Sequence, residues 1–183
     1  MGKKQIVAWH FVGNTLRDGS PLPADGVWLK YTGPLKLCES GYHASIDPFD
    51  ALQYAPGATL CRVAVRGEVI HGDDKLVASE RMIICRMDAT ELLWYFARMQ
   101  AVYALEFWDT NPPDVVMDYL MTGDESIRDA ARAAARAAAR DAARDAVWDA
   151  SRASAWASAR ASARASARKD FTDFVHECFG VKS

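Results

Sequence analysis

Residues 59–66 read T-L-C-R-V-A-V-R, and this stretch decides the fold because its side chains alternate in character. Cys61, Val63 and Val65 face one way, and Arg62 and Arg66 face the other. A period of two indicates a strand with one buried face and one solvated face. Gly67 then predicts a turn or a bulge. The first half of the chain is therefore built on a sheet.

Further strands lie on both sides of this stretch in the sequence. Residues 5–12 (Q-I-V-A-W-H-F-V) are rich in β-formers. Residues 81–87 (R-M-I-I-C-R-M) are apolar on both faces, which is typical of a central strand. Asp47 and Pro48 predict the cap and the first residue of a short helix between strands.

Helices replace strands after residue 88. Residues 92–103 carry an almost wholly apolar helical face, and a further helix is expected to end at Gly123. Strands first and helices second favour an α+β fold with a small mixed or antiparallel sheet. We place a head domain at residues 1–123 and a helical arm at residues 124–183.

The arm is built on a four-residue repeat. From Arg128 to Arg168 every fourth residue is Arg or Trp, and the residues between are mostly Ala, Ser or Asp. Ala and Arg are strong helix formers, and no Gly or Pro interrupts residues 125–179. The repeat therefore predicts one long helix or a helical hairpin. Trp148 and Trp156 stand on either side of an arginine and could anchor a partner.

The charge of the chain is uneven. Residues 125–170 carry nine Arg and one Lys against six acids, so 10 − 6 = +4, and the net charge of −2 leaves about −6 elsewhere. A basic arm could be a solvated spacer, could associate with another copy, or could bind nucleic acid. The aspartates in its first half make nucleic acid the least favoured of the three.

The last segment differs from the repeat. Apolar residues recur at helical spacing over 171–179, ahead of Gly180: Phe171, Phe174, Val175, Cys178 and Phe179. This amphipathic helix is expected to dock on its own head or on a neighbouring subunit, and we expect a homo-oligomer held through the arm.

Several classes of protein are not indicated. The four cysteines are scattered without a C-x-x-C pair, so no metal site is expected. We find no signal peptide and no apolar stretch long enough to cross a bilayer, so we expect a soluble cytoplasmic protein without a membrane partner.

Two resemblances bear on function. Residues 38–57, C-E-S-G-Y-H-A-S-I-D-P-F-D-A-L-Q-Y-A-P-G, together with the strand ending R-V-A-V-R-G at 62–67, resemble an uncharacterised domain of bacteriophage proteins that occurs beside Ala/Arg-rich tails. This resemblance covers roughly residues 5–90. It implies a phage origin and action in the bacterial host cytoplasm, and it names no reaction.

The same region resembles the diphtheria-toxin-like ADP-ribosyltransferases. In that family a first-strand His binds the ribose of NAD, aromatic side chains stack on the nicotinamide, and a late Glu supports catalysis. The resemblance implies Glu80 as the catalytic residue, and it implies a set of ligand-binding residues: His10, Tyr42, His43, Ser45 and Tyr54. The sequence departs from the pattern because His43 stands where a stacking Tyr is expected and Glu80 follows Tyr54 closely.

Ordinary structural roles compete with these assignments. A strand His beside Trp is commonly a core residue, Tyr54 could only pack, Ser45 could only cap a turn, and Glu80 with Arg81 could be a surface pair. We rank binding of a nucleotide-like ligand first, with NAD or a related nucleotide as its class, because the catalytic set is incomplete. The alternatives are an active ADP-ribosyltransferase using Glu80 and an interaction module that works through the arm on a host protein or another copy.

Overall fold

The computed structural model describes residues 4–16, 18–105, 111–145 and 152–181, without the side chains of residues 140–160. It confirms the α+β class, with strands preceding most of the helices. In chain order the elements are β1 (Ile6–Val12), β2 (Trp28–Lys30), β3 (Tyr42–Ala44), α1 (Pro48–Leu52), β4 (Thr59–His71), β5 (Leu76–Asp88), α2 (Thr90–Leu105), α3 (Asp114–Thr122), a 3-10 turn (Glu125–Ile127), α4 (Arg128–Asp145) and α5 (Arg152–Cys178).

All strand pairs are antiparallel, which selects one of the two predicted kinds of sheet. The hairpin of β4 and β5 forms the centre, β1 pairs with β4, and both β2 and β3 pair with β5. A single antiparallel bridge between Trp9 and Ser45 joins β1 to the residue that follows β3. There the N–H of Trp9 donates to Ser45 O at 2.7 Å, and the N–H of Ser45 donates to Trp9 O at 2.9 Å. The sheet therefore curls until its two sides meet.

The alternation of β4 determines which side chains form the interior. Cys61, Val63 and Val65 are buried, as the sequence predicted, and the residues of β1 that pair with them lie on the same face. Gly67 has φ of 84° and lies at a register shift in the hairpin, so the predicted bulge is confirmed. Both hairpin strands are longer than the sequence patterns indicated, since β4 continues to His71 and β5 begins at Leu76.

Two short-range helix signals are confirmed. Asp47 caps α1 by accepting the N–H of Phe49 at 2.8 Å, and Pro48 is the first residue of this helix. Gly123 has φ of 69° and donates its N–H to Tyr119 O at 2.8 Å, which is the left-handed conformation that ends α3.

The chain divides into two compact units. The first combines residues 1–91 with residues 171–183, and the second contains residues 92–170. The sequence placed the boundary at 123/124 instead. The division differs because α2 and α3 group with the arm, while the end of α5 groups with the sheet. Whether the arm is one helix or a hairpin depends on residues 146–151, which include Trp148 and lie outside the described residues.

The end of α5 docks on the sheet of its own chain. Phe171 and Val175 are fully buried. The ring of Phe171 meets that of Phe49 edge to face at 6.1 Å, and the hydroxyl of Thr172 donates to Asp47 Oδ1 at 3.1 Å. Of the two predicted docking places, the structure therefore shows the head.

Among the described residues, no helix combines the length and the apolar composition that crossing a membrane requires.

We expect Phe171→Ala to lower the free energy of unfolding by about 3–5 kcal/mol, because it leaves a cavity under α5. Glu177→Ala, on the exposed side of the same helix, should change it by less than about 0.5 kcal/mol. Urea denaturation at several protein concentrations would measure both. A midpoint that moves with concentration would place the helix on a neighbouring copy instead.

Candidate functional site

A buried guanidinium marks the candidate site. Arg81 on β5 is only 4% exposed. Its Nη1 donates to the carbonyl of His43 at 2.8 Å, and its Cζ lies 5.2 Å from the ring centroid of Tyr42. Its Nε is buried without a hydrogen-bond partner, and among the described residues no carboxylate forms an ion pair with this side chain. Such a group is a potential anion anchor.

Strand register brings His10 to the same face of the sheet. His10 pairs with Cys61, and Val65, which is four residues along from Cys61 on β4, pairs with Arg81. Since alternate residues of a strand share a face, the imidazole and the guanidinium lie on the interior side together. His10 is only partly buried, so the cluster reaches solvent at this residue. We call His10, Tyr42, His43 and Arg81 the arginine cluster.

The electrostatics of the arginine cluster follow from its burial. Burial lowers the pKa of Arg81 to about 10. The pKa of His10 is held well below its usual value, first by burial, then by the positive charge of Arg81, and last by an electrostatic effect of His43. His10 is therefore neutral at pH 7.

The buried thiol of Cys61 is neutral as well, since burial raises its pKa to about 11. Two arginines face this side of the sheet among the described residues of β5. Arg86 pairs with Cys61 and forms an ion pair with Asp25, so Arg81 carries the fixed charge that no described carboxylate balances.

His43 links the arginine cluster to a more exposed group. Its Nε2 accepts the backbone N–H of Cys38 at 2.9 Å, which requires that nitrogen to be unprotonated. Cys38 has φ of 68°, a left-handed conformation that is uncommon for a residue other than glycine.

Tyr54, which follows α1, belongs to this exposed group and contacts the turn between β4 and β5. Its hydroxyl donates to Asp74 Oδ2 at 2.5 Å, and the Nζ of Lys75 lies 4.1 Å from its ring centroid. Hydrogen bonds to the thiol of Cys38 and the hydroxyl of Tyr54 hold the pKa of Lys75 above its usual range. The role proposed for Tyr54, stacking on a nicotinamide, therefore has no geometric support.

Glu80 lies on the opposite face of the sheet from His10. It pairs with Arg66, the neighbour of Val65, and its carboxylate accepts a hydrogen bond from Arg66 Nε at 2.6 Å. The guanidinium of Arg66 stacks over the ring of Trp28 at 3.7 Å. Glu80 is 6% exposed, so the alternative of a surface pair is wrong for it and for Arg81. The structure does not bring Glu80 together with the imidazole that the transferase resemblance implied.

Ser45 has a structural place. It is buried, and its backbone makes both hydrogen bonds of the bridge to Trp9. Of the six residues that the transferase resemblance implied, the structure places the ring of Tyr42 and the carbonyl of His43 at Arg81, with His10 on the same face of the sheet. Tyr54 and Glu80 make their contacts elsewhere. Among the described residues, no group of three or more His, Cys, Asp or Glu side chains could hold a metal ion.

Sequence reasoning missed Arg81 as a member of the site. It stands in a stretch that is apolar on both faces, where a charged residue is buried unless it lies at an edge. The sequence therefore indicated that Arg81 is buried, but it did not show that the structure would place no carboxylate of the described residues beside it.

Comparison with known proteins adds a family match without an activity. Residues 6–94 match a family model described as a domain of unknown function (DUF7666). No curated protein and no solved structure matches the chain. The match spans all five strands and the start of α2. The geometry of the arginine cluster is consequently the basis for any functional argument.

We expect Glu80→Gln to act on stability. Losing the charge that Arg66 pairs with should cost about 1.5–3 kcal/mol of unfolding free energy, the usual worth of a hydrogen bond to a charged group. Glu68→Gln is a control on the exposed part of β4 and should be nearly neutral. Chemical denaturation would measure both variants. A Glu80→Gln protein of unchanged stability that loses transfer of ADP-ribose to a host lysate would restore the catalytic role.

Proposed function

We propose that the sheet domain binds a nucleotide-like anionic ligand, of the class that includes NAD and its derivatives, at the arginine cluster. In keeping with the resemblance to phage proteins, the protein would act as a phage accessory protein in the host cytoplasm, in host-defence antagonism or host takeover. The binding role requires no catalytic carboxylate, which agrees with the separate location of Glu80.

The observation that carries this proposal is the uncompensated charge of Arg81. An ionised group buried without a counter-charge destabilises a fold by several kcal/mol. Its partners are a carbonyl oxygen and an aromatic face, and neither carries a negative charge. The guanidinium fork matches the geometry of a phosphate, so the vacant Nε is a donor for an oxygen of such a ligand.

The neighbours of Arg81 suit a nucleotide more than a free metal complex or a cation. The ring of Tyr42 offers an aromatic surface for a base or a nicotinamide. The imidazole of His10, neutral and partly exposed, can hydrogen-bond a ribose hydroxyl or a phosphate oxygen. These are the roles that the transferase resemblance implied for a first-strand His and for the aromatic residues.

A second candidate function is protein association through the helical unit. On α2 three aromatic side chains are roughly half exposed: Trp94, Tyr95 and Tyr103. Aromatic residues are enriched at protein interfaces. A groove of about 600 Å³ between α2, α3 and α4 in the same unit is lined mainly by Ala and Leu side chains. These features support the expected homo-oligomer, or a host protein as partner, better than the end of α5, which is already buried.

We expect Arg81→Met to abolish binding of NAD, ADP-ribose and cyclic nucleotides in titration calorimetry. It should also leave the free protein as stable as the parent or more stable, because an unpaired buried charge is removed. Arg62→Met is the matched control. Arg62 also has a buried Nε without a partner, but it pairs with Trp9 on the opposite face. A large loss of stability in Arg81→Met, with no ligand bound by the parent, would make Arg81 a structural residue.

If the helical unit forms an oligomer, the triple variant Trp94→Ser, Tyr95→Ser, Tyr103→Ser removes its exposed aromatic surface. We then expect light scattering to give the mass of a monomer for the variant and a larger mass for the parent protein. The single variant Val7→Ser, at another exposed apolar residue on β1, is the control. A parent protein that is monomeric at every concentration would argue against self-association.

A further inference from the structure

The arginine cluster holds one fixed positive charge, whereas some members of the proposed ligand class, such as ADP-ribose, carry two negative charges. This inference rests on the proposed function and concerns the same site. A phosphate monoester is largely a dianion at neutral pH, and a pyrophosphate bridge carries a charge on each phosphate. The guanidinium of Arg81 balances only one of them. Partial charge compensation in a water-poor interior leaves a large electrostatic penalty, because interactions there are weakly screened.

A second cation can come only from a side chain that faces the same interior. His10 shares a face with Arg81, and it is the imidazole through which the cluster reaches solvent. The group directly opposite on β4 is the neutral thiol of Cys61. On β5, Arg86 pairs with Cys61, but its charge is already balanced by the ion pair with Asp25. On β3 the titratable neighbours are Tyr42 and His43, and the Nε2 of His43 already accepts a backbone N–H bond.

We propose that a doubly charged anion binds at the arginine cluster together with one proton, which His10 takes up, so that an imidazolium and the guanidinium of Arg81 meet the ligand jointly. The site thereby adapts its charge to the ligand. A singly charged anion is matched by Arg81 alone and binds with His10 neutral.

The direction of the coupling follows from the charges around His10. In the free protein the charge of Arg81 and burial keep the imidazole neutral, so its pKa lies well below the usual value. A dianion reverses the sign of the local charge and raises that pKa. Between the free and the bound pKa, each binding event takes up about one proton. Affinity for a dianion therefore rises by about tenfold for each unit that the pH falls through this window.

Calorimetry with sulfate tests the proposal on the full-length protein, because sulfate is a dianion that exchanges no proton between pH 5.5 and 7.5. Titrations in two buffers that differ in protonation enthalpy count the protons taken up. We expect an uptake approaching one proton per sulfate and none with nitrate. His10→Asn should bind sulfate more weakly and without pH dependence. His71→Asn, at the exposed end of β4, should behave as the parent protein does.

The imidazole resonance of His10 provides a readout that needs no variant. With sulfate bound, its titration midpoint should move to higher pH. Sulfate that binds without proton uptake or without moving this midpoint overturns the coupling, while loss of NAD binding in Arg81→Met would still support the proposed function. Absence of any anion binding by the parent protein overturns both.

Discussion

The two backbone hydrogen bonds between Trp9 and Ser45 are the contact on which this structure depends. They join the first strand to the chain after β3 and so convert an open antiparallel sheet into one whose sides meet. Closure brings β3, with Tyr42 and His43, beside the interior face of β1. The side chain of Trp9 lies on the opposite face of the sheet from His10. There its ring stacks with that of His176 at 5.8 Å and meets the ring of Phe179 edge to face at 5.0 Å. One residue thus closes the sheet through its backbone and receives the C-terminal helix through its side chain.

Two successive residues of β5 show opposite ways of burying a charge. Glu80 is paired with Arg66, whose other face is covered by Trp28, so its charge is matched and its role is explained by stability. Arg81 has no such partner among the residues that the structure describes. Stability alone would favour an apolar side chain at position 81, because a desolvated charge without a counter-ion is costly. The contrast between neighbours on one strand is the reason why we propose the arginine cluster as a binding site.

Much of the fold could be predicted from local patterns. The alternation of residues 59–66, the bulge at Gly67, the cap at Asp47 and the helix end at Gly123 depend on neighbours in sequence, and the structure confirms each. The division into units could not be predicted in this way. The amphipathic face of residues 171–179 shows that the helix docks, but complementarity with Phe49 and Asp47, more than a hundred residues earlier, decides where.

The site was only partly predictable, because the register of the β4–β5 hairpin selects the face of each residue. Residues 80 and 81 alternate, so one of them must join His10 and the other must turn away. Which one does so depends on the pairing of Val65 with Arg81, and register shifts on both sides of this pair separate it from the regular parts of the hairpin. A one-residue slip exchanges the two faces. The sequence shows that a bulge is present at Gly67 but not how many residues it displaces. An argument from residue types alone therefore selects the carboxylate of Glu80, whereas the paired strands place the guanidinium of Arg81 beside the histidine.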